Sequence, residues 1–258
     1  MCPHARVTAS GCRSFFVRLC FTEGGRKNRG GLLGQAEVGV DFTVLRRRMV
    51  DNQIRTRDVT DHNILSAFLE MPREQFVEAS EQPFAYSDRP LSMLRAVGGR
   101  QMMVPFQLAR LLQLLQLGPD AKVMVIGCGT GYSAAILSRL VSRVVAVEEN
   151  EALLERAGDA LRDVGAANVQ LVHNALIEGY PDGAPYDGIL IDGAVETLPP
   201  ALIQQLRPDG QLVAIEQGEG VSRAVLHERI GDEESRWPGF EAWATLLPGF
   251  ERKRAFVF

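Results

Sequence analysis

The chain has 258 residues, 46% hydrophobic and 23% charged, with a formal net charge of −4 at pH 7. That length buries one full α/β core and at most a small appendage. The charge excludes a general attraction to nucleic acid or to an anionic membrane, and no apolar run approaches bilayer-spanning length, so a soluble protein is expected.

Residues 1 to about 40 differ from the rest. They carry Arg6, Arg13, Arg18, Arg26, Lys27 and Arg29, with paired glycines at Gly24-Gly25 and Gly30-Gly31. Arg18 interrupts Ser14 to Phe21, which argues against a signal-peptide core. The segment reads as a disordered tail or an upstream extension; a basic binding arm has no periodic pattern to support it. Three of the four cysteines (Cys2, Cys12, Cys20) lie here and the fourth is Cys128, while His4, His62, His173 and His227 are scattered. Neither a disulfide framework nor a metal site is expected, and a reducing cytoplasm fits.

Residues 41–118 read as an N-terminal cap and substrate-side segment. Asp58 or Thr60 is placed to cap a helix running to about Met71, with Ile64, Leu65, Phe68 and Leu69 on one face and Pro72 as its stop. A second helix follows Pro105, with Leu108, Leu111, Leu112 and Leu115 at helical spacing, and Gly118-Pro119 closes it.

Residues 119–258 alternate strand, loop and helix. The expected strands are Val123 to Ile126, Val144 to Val147 ending in Glu148, Val169 to Val172, Gly188 to Ile191 and Gln211 to Ile215. Helices are expected from Tyr132 to Val141 and around Leu153, Leu154, Ala157 and Leu161. Continuously apolar strands between amphipathic helices predict a doubly wound parallel sheet covered on both faces. At the C-terminus, Ala242 to Leu247, a Pro248-Gly249 turn and Arg254 to Phe258 read as an antiparallel hairpin.

The chemistry is expected at the loop Gly127-Cys128-Gly129-Thr130-Gly131, between the first of these strands and its helix. Glycines there let the backbone approach a ligand beside helix-end amides. A dinucleotide fingerprint needs its third glycine at position 132, which is Tyr132. The G-x-G-x-G spacing suits S-adenosylmethionine, which has no pyrophosphate and presents an amino-acid end. Glu148, with Glu149 beside it, stands where an acid accepts ribose hydroxyls; that position supports adenosine without choosing between the two ligand classes. The closing hairpin points away from a dehydrogenase.

Met49-Val50, Asp58, Met71-Pro72-Arg73-Glu74-Gln75-Phe76-Val77, Ala85-Tyr86-Ser87-Asp88-Arg89-Pro90-Leu91 and Val123 to Ala135 together resemble the protein-L-isoaspartate O-methyltransferase family over about Phe42 to Phe258. The resemblance implies a Rossmann-like seven-stranded sheet, bound S-adenosylmethionine, and methylation of the free carboxylate of isoaspartyl residues in damaged proteins or peptides. It also implies a start near Val38 or Val40. The family's usual Gly-Gln-Thr-Ile-Ser is Gly99-Arg100-Gln101-Met102-Met103 here, its acid two residues before the loop is Val125, and its Gly-Asp-Gly is Asn174-Ala175-Leu176. Asp192 replaces a small or hydroxyl residue. Asn174, Ala175 and Asp192 are therefore expected to complete the cofactor pocket, and Asp88, Arg100, Gln101 and Met103 to stand near the acceptor. These departures leave open a methyltransferase of the same fold with another acceptor, or a cofactor-binding relative without catalysis. An ionised carboxylate acceptor requires no general base; alignment and desolvation of the nucleophile suffice.

Overall fold

The computed structural model describes residues 40–231 and 233–252. The basic N-terminal segment with its three cysteines, and the expected strand from Arg254 to Phe258, lie outside the described residues.

The first element is α1 (Phe42–Met49), capped by Asp41, whose carboxylate accepts from the amides of Thr43 and Val44. Helix α2 (His62–Glu70) follows a π turn and a 3-10 turn, and Asp61 caps it by accepting from Asn63 and Ile64. Asp58 and Thr60 are thus not the cap. Asp58 closes the preceding turn in a left-handed conformation (φ 62°), which removes it from the helix start. A two-residue pair, β1 (Leu91–Ser92) with β2 (Gln101–Met102), precedes α3 (Pro105–Leu114).

The main sheet comprises β3 (Lys122–Ile126), β4 (Arg143–Glu148), β5 (Val169–His173), β6 (Tyr186–Val195), β7 (Leu206–Glu216), β8 (Arg223–Ile230) and β9 (Glu233–Glu241). Helices α4 (Tyr132–Leu137), α5 (Glu151–Asp163) and α6 (Pro200–Ile203) connect its parallel strands. The order is β5-β4-β3-β6-β7-β8-β9, with β8 and β9 antiparallel. Strand β3 is central and apolar on both faces. Val123 and Val125 pack into the layer of α3, α4 and α5, and Met124 and Ile126 into the layer of α6. From β3 the chain runs outward through β4 and β5, then returns to β6 on the other side. This reversal opens a crevice at the carboxyl ends of β3 and β6, where α/β sheets hold ligands.

The expected antiparallel hairpin is present, but β8 and β9 build it rather than Ala242 to Leu247. Strand β9 is polar and carries Pro238 and Gly239, so no apolar alternation announces it; its ladder with β8 and side-chain partners on β8 and β7 hold it in place. His227 Nδ1 lies 2.5 Å from Glu234 Oε1, and Arg236 pairs with Glu216. Residues Ala242 to Leu247 instead cross the end of β6, where Ala194 donates to Thr245 O (2.9 Å) and Leu247 donates to Ala194 O (2.9 Å). They form no strand because their backbone meets the sheet only at this one point, in a parallel bridge between Ala194 and Leu246.

The cap is fastened to the core through Arg73 and Tyr132. Tyr132 meets Phe76 and Phe68 edge-on at 5.4 and 6.2 Å between ring centres, and the Arg73 guanidinium lies 4.6 Å from the Tyr132 ring centre. Fully buried Arg73 also donates to Ala85 O (2.9 Å) and Met103 O (2.7 Å), tying three separate segments together. Replacing it strands two buried carbonyls and leaves a void. Arg73→Ala should therefore lose about 3 kcal/mol of stability, read as a lower urea midpoint at unchanged slope.

Candidate active site

The loop after β3 turns through three left-handed glycines, Gly127, Gly129 and Gly131, with φ of 74°, 55° and 93°. The amides of Gly127 and Cys128 donate to Val147 O at 2.9 and 3.2 Å, fixing the loop against the end of β4. Two of the glycines are also closely packed. A Cβ on Gly129 would sit 2.2 Å from Met93 Sδ, and one on Gly131 would sit 3.2 Å from Ala157 Cβ on α5. Leu247 packs over Gly127 and Gly193 and closes the crevice from above.

Glu148, at the end of β4, is fully buried and organises this loop. Its Oε1 accepts from Arg100 Nη1 (3.1 Å) and the amides of Glu149 (3.1 Å) and Asn150 (3.2 Å). Its Oε2 accepts from Arg100 Nη2 (2.9 Å) and the amide of Gly129 (2.8 Å). Arg100 Nη2 also donates to Gly127 O at 3.1 Å. A cavity of about 220 Å³ adjoins this pair, lined by Gly98, Gly99, Arg100, Glu149, Asn150 and Thr245 among others.

Asp192 is buried within β6, in the bulge between Leu190 and Ala194. Burial raises its carboxyl from the ordinary 3.8 to about 6 against the opposing pull of Ser133, Arg100 and Arg73, with Glu148 adding a smaller push in the same direction as burial. The Cys128 thiol is pushed far above its usual range by burial first, then by the charges of Glu148 and Asp192, so it stays protonated. Beside them, the Thr130 hydroxyl is buried without a hydrogen-bond partner among the described residues, while the Ser133 hydroxyl faces the Asp192 carboxyl. Buried polar groups are nearly always satisfied, and an unpartnered hydroxyl on a glycine loop fits a polar ligand.

The expected residues divide into groups. Gly127 to Gly131, Glu148 and Asp192 meet at the crevice. The Tyr132 ring turns instead into the Phe68-Phe76 cluster, so its side chain serves the cap. Glu149 is half-buried and accepts weakly from Leu176 N (3.5 Å). Asn174, beside half-buried Ala175, spends one amide proton on Gly179 O at 2.8 Å and keeps its carbonyl free of protein partners. On the acceptor side, Asp88 and Gln101 are exposed and Met103 is buried, its carbonyl taken by Arg73. Gln101 and Met103 line a narrow cleft with Pro90 and Trp243. Arg100 is not in that cleft; it joins the cofactor-side cluster. Arg73, Met93, Ser133, Trp243 and Leu247 complete the surroundings and escaped sequence reasoning, since their proximity arises only from long-range folding.

A family model described as protein-L-isoaspartate(D-aspartate) O-methyltransferase matches residues 45–236. A protein-L-isoaspartate O-methyltransferase of Halorhodospira halophila is 38% identical over 217 residues, which is 83% of this chain and 96% of that one. The chain belongs to this family. A second protein-L-isoaspartate O-methyltransferase, from Methanoregula boonei, is 40% identical over 72% of this chain and 84% of its own length. A solved protein-L-isoaspartate O-methyltransferase superposes with a TM-score of 0.72 at 26% identity, across 79% of this chain and 66% of the other. A Plasmodium falciparum structure named for the same methyltransferase, in complex with S-adenosyl-L-homocysteine, shares the fold at 18% identity and a TM-score of 0.67.

The glycine geometry of this family member makes a contrast between two substitutions. Gly131→Ala combines positive φ with contact against Ala157 and Leu161, and should lose about 2 kcal/mol. Gly98→Ala meets nothing within 4 Å and should change stability by less than about 0.5 kcal/mol. Paired thermal melts check both.

Proposed function

We propose that this protein is a cytoplasmic, S-adenosylmethionine-dependent methyltransferase that esterifies the free carboxylate of isoaspartyl residues in damaged proteins and peptides. The observation that carries the reading is the buried Glu148 carboxylate beside three left-handed glycines, in a chain 38% identical to a protein-L-isoaspartate O-methyltransferase across 96% of that relative. Among the described residues, no helix is long and apolar enough to cross a membrane, which is consistent with action on dissolved proteins.

The donor set fits the cofactor. Glu148 would accept the ribose hydroxyls, the glycine loop would let the backbone approach the amino-acid end, and Asn174 would offer its amide to adenine. Asp192, with Ser133 beside it, would hold the ammonium group, and Thr130 on the loop has a buried hydroxyl free to pair with it. When bound, the cofactor supplies an electrophilic methyl on a sulfonium. The protein's own task is then alignment and exclusion of water. Leu247 and Met93, packed on the loop glycines, exclude water from that side. Gln101, exposed at the Trp243 cleft, and exposed Asp88 would meet the peptide. A carboxylate nucleophile is already ionised at neutral pH, so the high thiol of Cys128 is no handicap: no protein nucleophile or base is used.

Labelled methyl should pass from S-adenosylmethionine to an isoaspartyl peptide and not to its aspartyl counterpart. Failure of transfer with intact S-adenosylhomocysteine binding would assign a different acceptor, and thermal stabilisation by NAD alone would overturn the cofactor assignment.

The pH dependence follows from Asp192. With its carboxyl raised to about 6, the ionised fraction falls about tenfold between pH 7 and pH 5. An ammonium group bound by that carboxylate should lose about tenfold in affinity over the same interval. The stability effect has the opposite sign. A carboxyl raised from 3.8 to about 6 on folding binds its proton more tightly when folded, so this group favours the fold at low pH and loses that contribution as pH rises through the window. Titration calorimetry with S-adenosylhomocysteine should show the affinity loss in wild type and a flat profile in Asp192→Asn.

A further inference from the structure

Glu148 is over-subscribed. Five donors converge on its two oxygens, where a carboxylate offers about four lone-pair sites. Three of the five are backbone amides of Gly129, Glu149 and Asn150, fixed by the loop and by the start of α5. The other two belong to one side chain, Arg100. A ribose diol seeking the same oxygens cannot displace the amides without unmaking the loop, so it must displace the guanidinium.

The segment bearing Arg100 suits such a movement. It is held by the two-residue pair of β1 and β2, and it follows Gly98-Gly99, around which a Cβ would meet nothing within 4 Å. The adjoining cavity of about 220 Å³ is smaller than the roughly 300 Å³ at which small-molecule sites begin, and withdrawing the Arg100 side chain enlarges it. A guanidinium taken out of a buried bidentate pair needs another anion or water, because an unpaired buried charge is strongly unfavourable. Its neighbour on β2 is Gln101, at the rim of the Trp243 cleft.

We propose that Arg100 exchanges carboxylates: it pairs with Glu148 until the cofactor ribose takes that acid, and then pairs with the carboxylate of the methyl acceptor. Arg100 is thereby a positioning residue that makes acceptor binding conditional on cofactor binding, and the two ligands bind in the order cofactor, then peptide. The exchange rests on the reading of Glu148 as the ribose acceptor given above. The fork geometry of arginine matters, since it satisfies both oxygens of either carboxylate in turn.

The test uses the full chain, with S-adenosylhomocysteine binding measured by calorimetry and binding of a labelled isoaspartyl peptide by anisotropy. Saturating S-adenosylhomocysteine should tighten peptide binding to wild type about tenfold. Arg100→Gln should bind S-adenosylhomocysteine about tenfold more tightly, because the competing guanidinium is gone, while its peptide affinity becomes weak and indifferent to the cofactor. Weaker cofactor binding by Arg100→Gln, or a preserved cofactor-dependent gain in peptide affinity, overturns the exchange. Should Arg100→Gln not fold, Arg100→Lys decides: keeping the charge without the fork, it should also tighten the cofactor, and wild-type affinity in it counts against the exchange. Glu148→Gln separates the two layers of inference. If it loses cofactor affinity while Arg100→Gln gains none, only the exchange falls; if wild type binds no S-adenosylhomocysteine at all, the cofactor reading falls and takes the exchange with it.

Discussion

A carboxylate buried at the end of a central strand must be matched donor for donor, and Glu148 imposes that demand on everything near it. An ionised acid out of water is costly unless every lone pair is used. The amide of Gly129 can reach Oε2 only because the loop turns through left-handed glycines, and the amides of Glu149 and Asn150 reach Oε1 only because α5 starts immediately after β4. The acid therefore dictates the shape of the loop as much as the loop cradles the acid. A glycine-rich turn without Glu148 would keep its dihedral freedom but lose the anchor that selects one conformation.

The sheet supplies the rigidity this arrangement needs. Strands β3, β4 and β6 are buried on both faces, and their parallel register sets Val125 beside Ala146 and Leu190. The reversal of strand order between β4 and β6 leaves the ends of β3 and β6 without a crossing helix, so the crevice exists for topological reasons before any side chain is placed. The segment from Ala242 to Phe250 then roofs it, pinned to β6 by the paired bonds at Ala194 and sealed by Leu247. The cap closes the remaining side through Arg73, which bonds to loop carbonyls on one edge and to Tyr132 on the other.

Much of this was legible in the sequence because the signals are local. Five apolar runs fell on β3 to β7, and Leu153, Ala157 and Leu161 marked the buried face of α5, because burial on both faces, or on one helical face, writes itself as periodicity. The glycine spacing and Glu148 were readable for the same reason. Strand β9 was not, since an edge strand held mainly by Arg236 and Glu234, with Phe240 its main apolar contact to the core, carries no apolar rhythm. Tyr132 looked like part of the cofactor loop because it follows Gly131, yet a helix start turns its ring by one residue into the Phe68-Phe76 cluster. The resemblance placed Arg100 and Gln101 together near the acceptor, but here their side chains diverge. Along an extended strand, adjacent side chains point to opposite sides, and that parity sends Arg100 to Glu148 and Gln101 to the surface.

The same parity bears on the acid missing at Val125. Val125 and Leu190 are register partners that pack in one layer with Ala194, and Asp192 lies midway between Leu190 and Ala194 on β6. Its electrostatic partners include Ser133 on α4, which packs on that layer, together with Arg100 and Arg73. An acid at 192 therefore reaches the side of the sheet that an acid at 125 would face, one strand over and nearer the crevice. Val125 frees the core under the loop from a buried charge, and β3 gains continuous apolar packing. Asp192 carries a carboxyl instead in the bulge of β6, where burial raises it to about 6 and the Ser133 hydroxyl faces it. Under the proposed reading, the acid on this side of the sheet comes from β6 rather than from β3, and the core under the loop stays apolar.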